Sequence, residues 1–469
     1  MEDLVQADTV CDMPISRLSA AIAAKEVSPV EVTEAALDRI ARVDDRVHAF
    51  IAVSPERARA AAKAAEAEIM AQGPRGPFHG IPYGLKDIID VAGLVTTGHS
   101  RSRAGAPPAT ADAHVTARLD AAGGVLLGKL ATFEFAIGGP SWDLPWPPAR
   151  NPWNLDRLPG GSSSGSGAAV AARLCHAAVG TDTGGSVRWP AAVCGIVGLK
   201  PTYGRISRRG VMPNTFSHDH CGPMTRTVED CAIMLGAMAG HDPGCPGSAA
   251  VPVPDYRAAL RRDLTGLRIG YVRTWFEDEA DPDVIAAVDR AAGVLGELGA
   301  VVEPVTLDPL RDYVDAKTVI SMSELWAIHA PVMRERAGDF GALFRSRVAP
   351  GALIRGEDYL QAQRRRTELA ARLLASFARF DLLLTAGWMT KAEPADPDGP
   401  DFFRKRNLVT MPFSLAGVPA ISVPCGFSDD GLPLALQLAG RPFDEAGVLA
   451  AAHAYETASP WAARRPALD

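Results

Sequence analysis

Short apolar runs bounded by turn residues recur along this chain, at 124–127, 177–180, 267–272, 381–385, 420–424 and 432–438, and they constrain its fold more than any other feature. A run of about four to eight apolar residues between turn signals reads as a strand. Segments of helical character lie between these runs, at 112–122, 168–174 and 228–239. Strands alternating with helices predict an α/β sheet covered on both faces, because the connecting helices pack back onto it.

Nearer the amino terminus, Ser28-Pro29-Val30-Glu31 combines an N-cap serine, a proline at the first helical position and a glutamate that can close a capping box. Val32, Leu37, Ile40 and Val43 then follow at helical spacing, and the alanine-rich stretch 57–70 predicts a further helix. The Pro/Gly-rich segments 240–254 and 391–401 read as linkers or surface excursions.

With 469 residues and 47% hydrophobic content the chain can bury a sizeable core, and its length alone would allow about two or three domains. A net charge of −7 with both signs interspersed leads us to expect no nucleic-acid partner, and Arg364, Arg365 and Arg366 read as the solvated face of a helix. Seven cysteines without a CxxC pair are an odd number for a disulfide framework and suit a reducing compartment. The acidic amino terminus lacks the pattern of a signal peptide, and no apolar run approaches the roughly 20 residues of a membrane helix. A cytoplasmic protein without a membrane partner is expected.

Three stretches compete for chemistry. In GIPYGLKD, Lys86 taken alone reads as a surface partner of Asp87. PGGSSSGSG, 159–167, lacks the Lys-Ser/Thr ending of a phosphate loop. Its GSSSG segment matches the nucleophile-elbow pattern with Ser163 as nucleophile, but the proline-punctuated NPWNLDRLP before it is not the strand that an elbow requires. In GTDTGGSVRWPAAVCG, 180–195, adjacent glycines precede Ser186, and glycine lets the backbone turn its amides toward one point. His99, His114, His218 and His220 have no metal-ligand spacing, so neither a metal nor another cofactor is expected.

In this order the three stretches resemble the amidase signature family, as do CGIVGLKPTYGRIS, GPMTRTVED, VPAISVPCG and LPLALQLAG. The resemblance spans about residues 15 to 460 and implies a three-layer α/β/α sandwich around a large central mixed, mostly parallel sheet. It implies a single domain over 1–469, with a signature core at about 80–225 and a more variable substrate-side region at 240–400. Carried over by position, the catalytic residues are Ser186 as nucleophile, Ser162 as relay after a cis peptide bond to Gly161, and Lys86 as base. The oxyanion donors are the amides of Thr183, Gly184, Gly185 and Ser186; Gly161 and Ser163 support the relay serine, and Asp182 and Arg188 flank the oxyanion loop as a suspected ion pair that holds its shape. For Lys86 to act as a base it must be buried, since desolvation lowers a lysine pKa.

The resemblance implies a hydrolase of carboxamide C–N bonds. Trp142, Leu144, Trp146 and His218 are candidate pocket residues for bulky apolar or aryl amides, with esters or carbamates (urethanes) reacting through the same serine; packing within their loop is the alternative for the tryptophans. The rival reading is the glutaminase subunit of a tRNA-dependent amidotransferase. That class carries a tyrosine-rich YDGVRYG-like segment, and 319–348 contains nothing similar, which favours a free-standing hydrolase. The partners expected are a small-molecule substrate and, at most, a second copy of the chain.

Overall fold

The computed structural model describes residues 7–395 and 408–468. Among them, strands β1 (Phe50–Val53), β2 (Pro82–Lys86), β3 (Val125–Leu130), β4 (Ala177–Asp182), β5 (Val197–Lys200), β6 (His220–Thr225), β7 (Arg268–Tyr271), β8 (Val301–Pro304), β9 (Leu382–Ala386), β10 (Ala420–Phe427) and β11 (Pro433–Gly440) form one mixed sheet. Its order is β1-β3-β2-β4-β6-β5-β10-β11-β9-β7-β8. Parallel pairing joins β3, β2 and β4 on one side and β9, β7 and β8 on the other, with antiparallel pairs between these blocks.

Successive side chains of a strand point to opposite faces. Accordingly Tyr83 and Leu85 of β2, Leu126 of β3, and Ala177 and Val179 of β4 enter one apolar core, whereas Val125, Leu127 and Ala178 enter another on the opposite face. The helix Val228–Met238 covers the first face through Val228, Cys231 and Leu235. The helix Ser164–Ala171 covers the second through Ala168, Ala169 and Val170. The expected α/β sandwich with a large mixed central sheet is therefore the fold observed.

Glycine permits the close approach of that second helix. A Cβ at Gly165 would lie 2.3 Å from the Ala49 carbonyl oxygen and 2.4 Å from the Ala131 nitrogen. The serine-glycine run is thus packed against the sheet edge instead of serving as a flexible tether. The capping box is formed: Ser28 Oγ accepts from Glu31 N at 3.1 Å, and Glu31 accepts from Ser28 N at 2.8 Å. A cap of this kind contributes about 1 kcal/mol.

The basic run does not form one solvated face. Arg365 reaches Asp312 and Glu368, but Arg366 turns inward and donates to the carbonyls of Leu415 and Ser217. Each helical residue rotates about 100° from the last, so three consecutive arginines cannot share a face. Segment 240–254 contains no helix or strand, and Asp242 within it binds Ser207 and Arg209. The second Pro/Gly-rich segment falls partly outside the described residues. All seven cysteines are buried, and no disulfide joins any of them among the described residues. No helix among the described residues is long and apolar enough to cross a membrane.

Candidate active site

The parallel register of β2 and β4 sets Leu85 beside Val179, so the carboxyl ends of both strands meet. Lys86 ends β2, fully buried, and its Nζ donates to Ser162 Oγ at 2.7 Å and to Thr181 Oγ1 at 2.8 Å. Burial pushes its pKa down to about 7, although Asp182, Asp219 and Cys221 pull the other way. Asp87 is not its partner: that carboxylate pairs with the buried Lys129 at 2.9 Å. The surface-pair reading of Lys86 therefore fails. Lys86 is left with hydroxyl partners, which do not hold a lysine in its charged form as a carboxylate would.

The Gly161–Ser162 peptide bond is cis, and the Ser162 carbonyl accepts from Phe133 N at 3.0 Å. Ser163 is fully buried and locked to Thr181 in both directions, donating to its carbonyl at 3.2 Å and accepting from its N–H at 3.1 Å. This excludes the elbow reading, which needs an exposed Ser163 hydroxyl. Ser163 N–H also reaches the Ser186 carbonyl at 3.3 Å, tying the serine-glycine run to the second loop.

Asp182 organises that loop. Its carboxylate accepts from the amides of Gly185 at 2.8 Å, Val187 at 3.2 Å and Arg188 at 3.4 Å. Gly185 has φ +134°, which frees its amide to turn toward Asp182. Arg188 is fully buried, and its guanidinium donates to both oxygens of Asp182, to Thr410 O, to Gln437 Oε1 and to Ser414 Oγ. Burial alone would raise the Asp182 pKa, but the Arg188 charge and its hydrogen bonds hold it well below the usual carboxylate range.

One expected oxyanion donor is corrected by this geometry: the Gly185 amide is already engaged by Asp182. The amides of Thr183, Gly184 and Ser186 have no hydrogen-bond partner among the described residues. Ser186 is partly exposed, and its hydroxyl is likewise without a hydrogen bond there. Burial thus falls from the enclosed Lys86 and Ser162 to the partly exposed Ser186, and no hydrogen bond joins Ser162 to Ser186 among the described residues.

Further groups flank the loop that sequence reading did not select. Thr183 Oγ1 donates to Asp219 Oδ1 at 2.6 Å, and Thr410 Oγ1 donates to the Gly184 carbonyl at 2.6 Å. Lys317, from the helix Leu310–Arg336, brings Nζ so close that a Cβ at Gly184 would lie 3.2 Å from it. Burial lowers the Lys317 pKa to about 8. Trp189, in the helix after Ser186, stacks on Trp388 at 4.6 Å and meets the edge of Phe133 at 6.0 Å, forming an apolar wall behind both loops. Thr181 lies inside the TDTGGS stretch and could have been singled out; Lys317 and Thr410 carry no motif.

The candidate pocket residues are less closely tied to the loops. Arg150 lies over the Trp142 ring at 4.7 Å, and Trp146 meets His99 edge-on at 5.7 Å. The first contact holds Trp142 within its own loop, where Leu144 also sits, whereas the second ties Trp146 to the segment that follows β2. His218 is fully buried; Nδ1 lies 2.9 Å from Ser217 Oγ, and Nε2 has no hydrogen-bond partner among the described residues. Among the described residues no group of His, Cys, Asp and Glu gathers in a metal-binding arrangement. A cavity of about 270 Å³ lies behind the site, sharing Thr181 and Asp219 with it and bounded also by Met212, Phe216, Cys221 and Cys245.

The Amidase family profile matches residues 31–449. The chain belongs to the amidase family. The glutamyl-tRNA(Gln) amidotransferase A subunit of Chloroflexus aggregans is 42% identical, over 97% of this chain and 98% of its own length. Among solved structures, the inhibitor-bound form of a vestigial protein complex related to the origins of an s-triazine catabolic enzyme superposes with a TM-score of 0.90. It is 36% identical, with 95% of this chain and 98% of the other covered. Native peptide amidase from Stenotrophomonas maltophilia gives a TM-score of 0.86 at 32% identity, covering 98% of this chain and 99% of the other.

These similarities correct the expected partners. The exclusion of nucleic acid does not stand, because a relative at 42% identity along nearly its whole length is by name a component of a tRNA-linked enzyme. Net charge describes an average over the surface of one chain, and it does not limit what an assembly containing such a chain handles. An expectation confined to a small molecule and a second copy was too narrow for the same reason. Amide chemistry is the family's common ground, and the amidotransferase alternative gains weight over the free-standing hydrolase.

Proposed function

We propose that this member of the amidase family cleaves a primary carboxamide through an acyl-enzyme on Ser186, acting as the amide-hydrolysing component of an amidotransferase-like assembly with glutamine as the model substrate. The observation that carries the chemistry is the buried Lys86–Ser162 hydrogen bond of 2.7 Å behind a loop with unpaired amides. The assembly is proposed from the 42% identity to amidotransferase A subunits.

In this reading Ser186 Oγ attacks the carbonyl carbon while its proton passes to Ser162 Oγ and the Ser162 proton passes to neutral Lys86. The amides of Thr183, Gly184 and Ser186 receive the developing oxyanion. No hydrogen bond joins Ser162 to Ser186 among the described residues, so this reading requires one to form as substrate seats. Collapse breaks the C–N bond, the relay returns a proton to the leaving nitrogen, and water then releases the acid. Ammonia release from glutamine by the purified chain, with and without the other amidotransferase subunits of its source organism, tests the assignment. We expect at least about a tenfold rise on their addition, comparable to known allosteric couplings; an unchanged rate with the full set of partners refutes the assembly.

The stacked Trp189 and Trp388 support a second reading, a free-standing hydrolase of bulky apolar or aryl amides, esters or carbamates. Turnover of anilides and carbamates exceeding that of glutamine, with or without partners, would favour it.

The Lys86 environment predicts a pH profile. Because burial lowers its pKa to about 7, the protonated amine that dominates below this value cannot accept a proton. For an uncharged amide, kcat/KM should rise with pH, reach half its maximum near pH 7 and level off above it. A rate already maximal at pH 5 would remove Lys86 as the base.

A further inference from the structure

Lys317 is 6% exposed, and no hydrogen bond or ion pair within 4.0 Å joins its ammonium to another described residue. The nearby carboxylates are committed elsewhere. Asp219 accepts from Thr183 Oγ1 and from the amides of Asn214 and Thr215. Asp182 is held by Arg188, while Glu324 accepts from Ser217 N and Tyr359 Oη. Burying an ammonium without a direct partner is costly, and a fold retains one where something arrives to meet it. A second polar atom without a partner among the described residues, His218 Nε2, is buried in the same region; burial first, and then the charges of Arg366 and Lys317, disfavour protonation of its ring.

We infer that Lys317 is a specificity-determining residue that receives a carboxylate of the substrate, so that this chain acts on small primary amides bearing an anionic group a few carbon atoms from the amide. The inference rests on the amidohydrolase reading of Ser186 and names the substrate class for that site. Its geometric basis is the place of Nζ against Gly184, two residues before Ser186 and within the loop whose free amides face the reacting carbonyl. A carboxylate seated on Lys317 leaves the other end of a short substrate over Ser186. Glutamine meets this description, as does any ω-amide of a short dicarboxylic acid. At neutral pH Lys317 remains largely charged, because its pKa is lowered only to about 8.

The test compares 5-amino-5-oxopentanoate with pentanamide, which has the same chain length and no charge. The wild-type protein, with its partner subunits if these prove necessary, should favour the anion in kcat/KM by about 10- to 100-fold, the range of a hydrogen bond to a charged group. Lys317→Met, with Lys317→Gln as a second variant, should erase that preference, losing about 10- to 100-fold more in kcat/KM on the anion, through KM, than on pentanamide, while Ser186 is still labelled by a fluorophosphonate. Equal losses on both amides would mean that Lys317 only stabilises the loop and would overturn the inference. Pentanamide turned over by the wild type as readily as the anion would also overturn it, while leaving the amidohydrolase reading intact. Absence of turnover on both, together with no labelling of Ser186, would sink that reading and the inference with it.

Discussion

Ser186→Ala should lower kcat by about four orders of magnitude or more while the protein folds normally, since removing one member of a nucleophile-base unit costs nearly as much as removing the whole unit. The wild-type hydroxyl makes no hydrogen bond among the described residues and is partly exposed, so its loss should change stability by no more than about 0.5 kcal/mol. Lys86→Met should produce a comparable loss, because neither serine then has a base to receive its proton. The double variant should be little worse than either single variant. Labelling by a fluorophosphonate should disappear in Ser186→Ala. Retention of more than about a hundredth of the wild-type rate, or labelling that moves to Ser163, would remove Ser186 as the nucleophile. The second outcome is hard to reconcile with a Ser163 hydroxyl that both donates to and accepts from the Thr181 backbone.

Much of the fold was legible because apolar periodicity survives wherever a strand is covered by apolar side chains. The run at 420–424 lies within β10, and that at 381–385 largely coincides with β9. The run at 177–180 ends early because Thr181 and Asp182, the last residues of β4, are polar yet buried. Their side chains find partners in Lys86 and Arg188, which hydropathy cannot anticipate. Pro82 and Gly84 disguise β2, and β6 begins with a histidine and contains Pro223. β5 is only four residues long.

The site was legible where backbone geometry demands particular residues. The pair Gly184-Gly185 before Ser186 marks a loop that must turn its amides, and the structure shows one of them given to Asp182 instead of left free. Groups that arrive from distant segments left no such mark. Lys317 is an ordinary residue in a long helix, and Asp219 stands between two histidines that draw attention first. Only tertiary packing places both beside the loop. The tyrosine-rich segment absent from 319–348 belongs to one part of the chain and does not by itself decide whether the chain works in an assembly. Identity of 42% across nearly the entire length carries more information than that one segment.

Arg188→Met should be the most damaging substitution for the fold. Arg188 and Asp182 are both fully buried, and removing one member of such a pair strands the other charge at a cost of about 3 to 5 kcal/mol. Thr410 O, Gln437 Oε1 and Ser414 Oγ would lose their guanidinium donor as well. The pH dependence separates this mechanism from simple loss of packing. In the wild type the folded-state pKa of Asp182 is depressed, so its contribution to stability is present at neutral pH and is lost only as strong acid protonates it. Without Arg188 the buried carboxyl should instead titrate above its unfolded value. The variant's folded state would then bind more protons than its unfolded state, and its stability would fall as pH rises through that range. Urea midpoints should therefore show a smaller deficit at pH 5 than at pH 8. A deficit independent of pH would mean that Lys200 and His220, whose charges also reach Asp182, compensate for the missing guanidinium, and that Arg188 acts by filling space and satisfying acceptors.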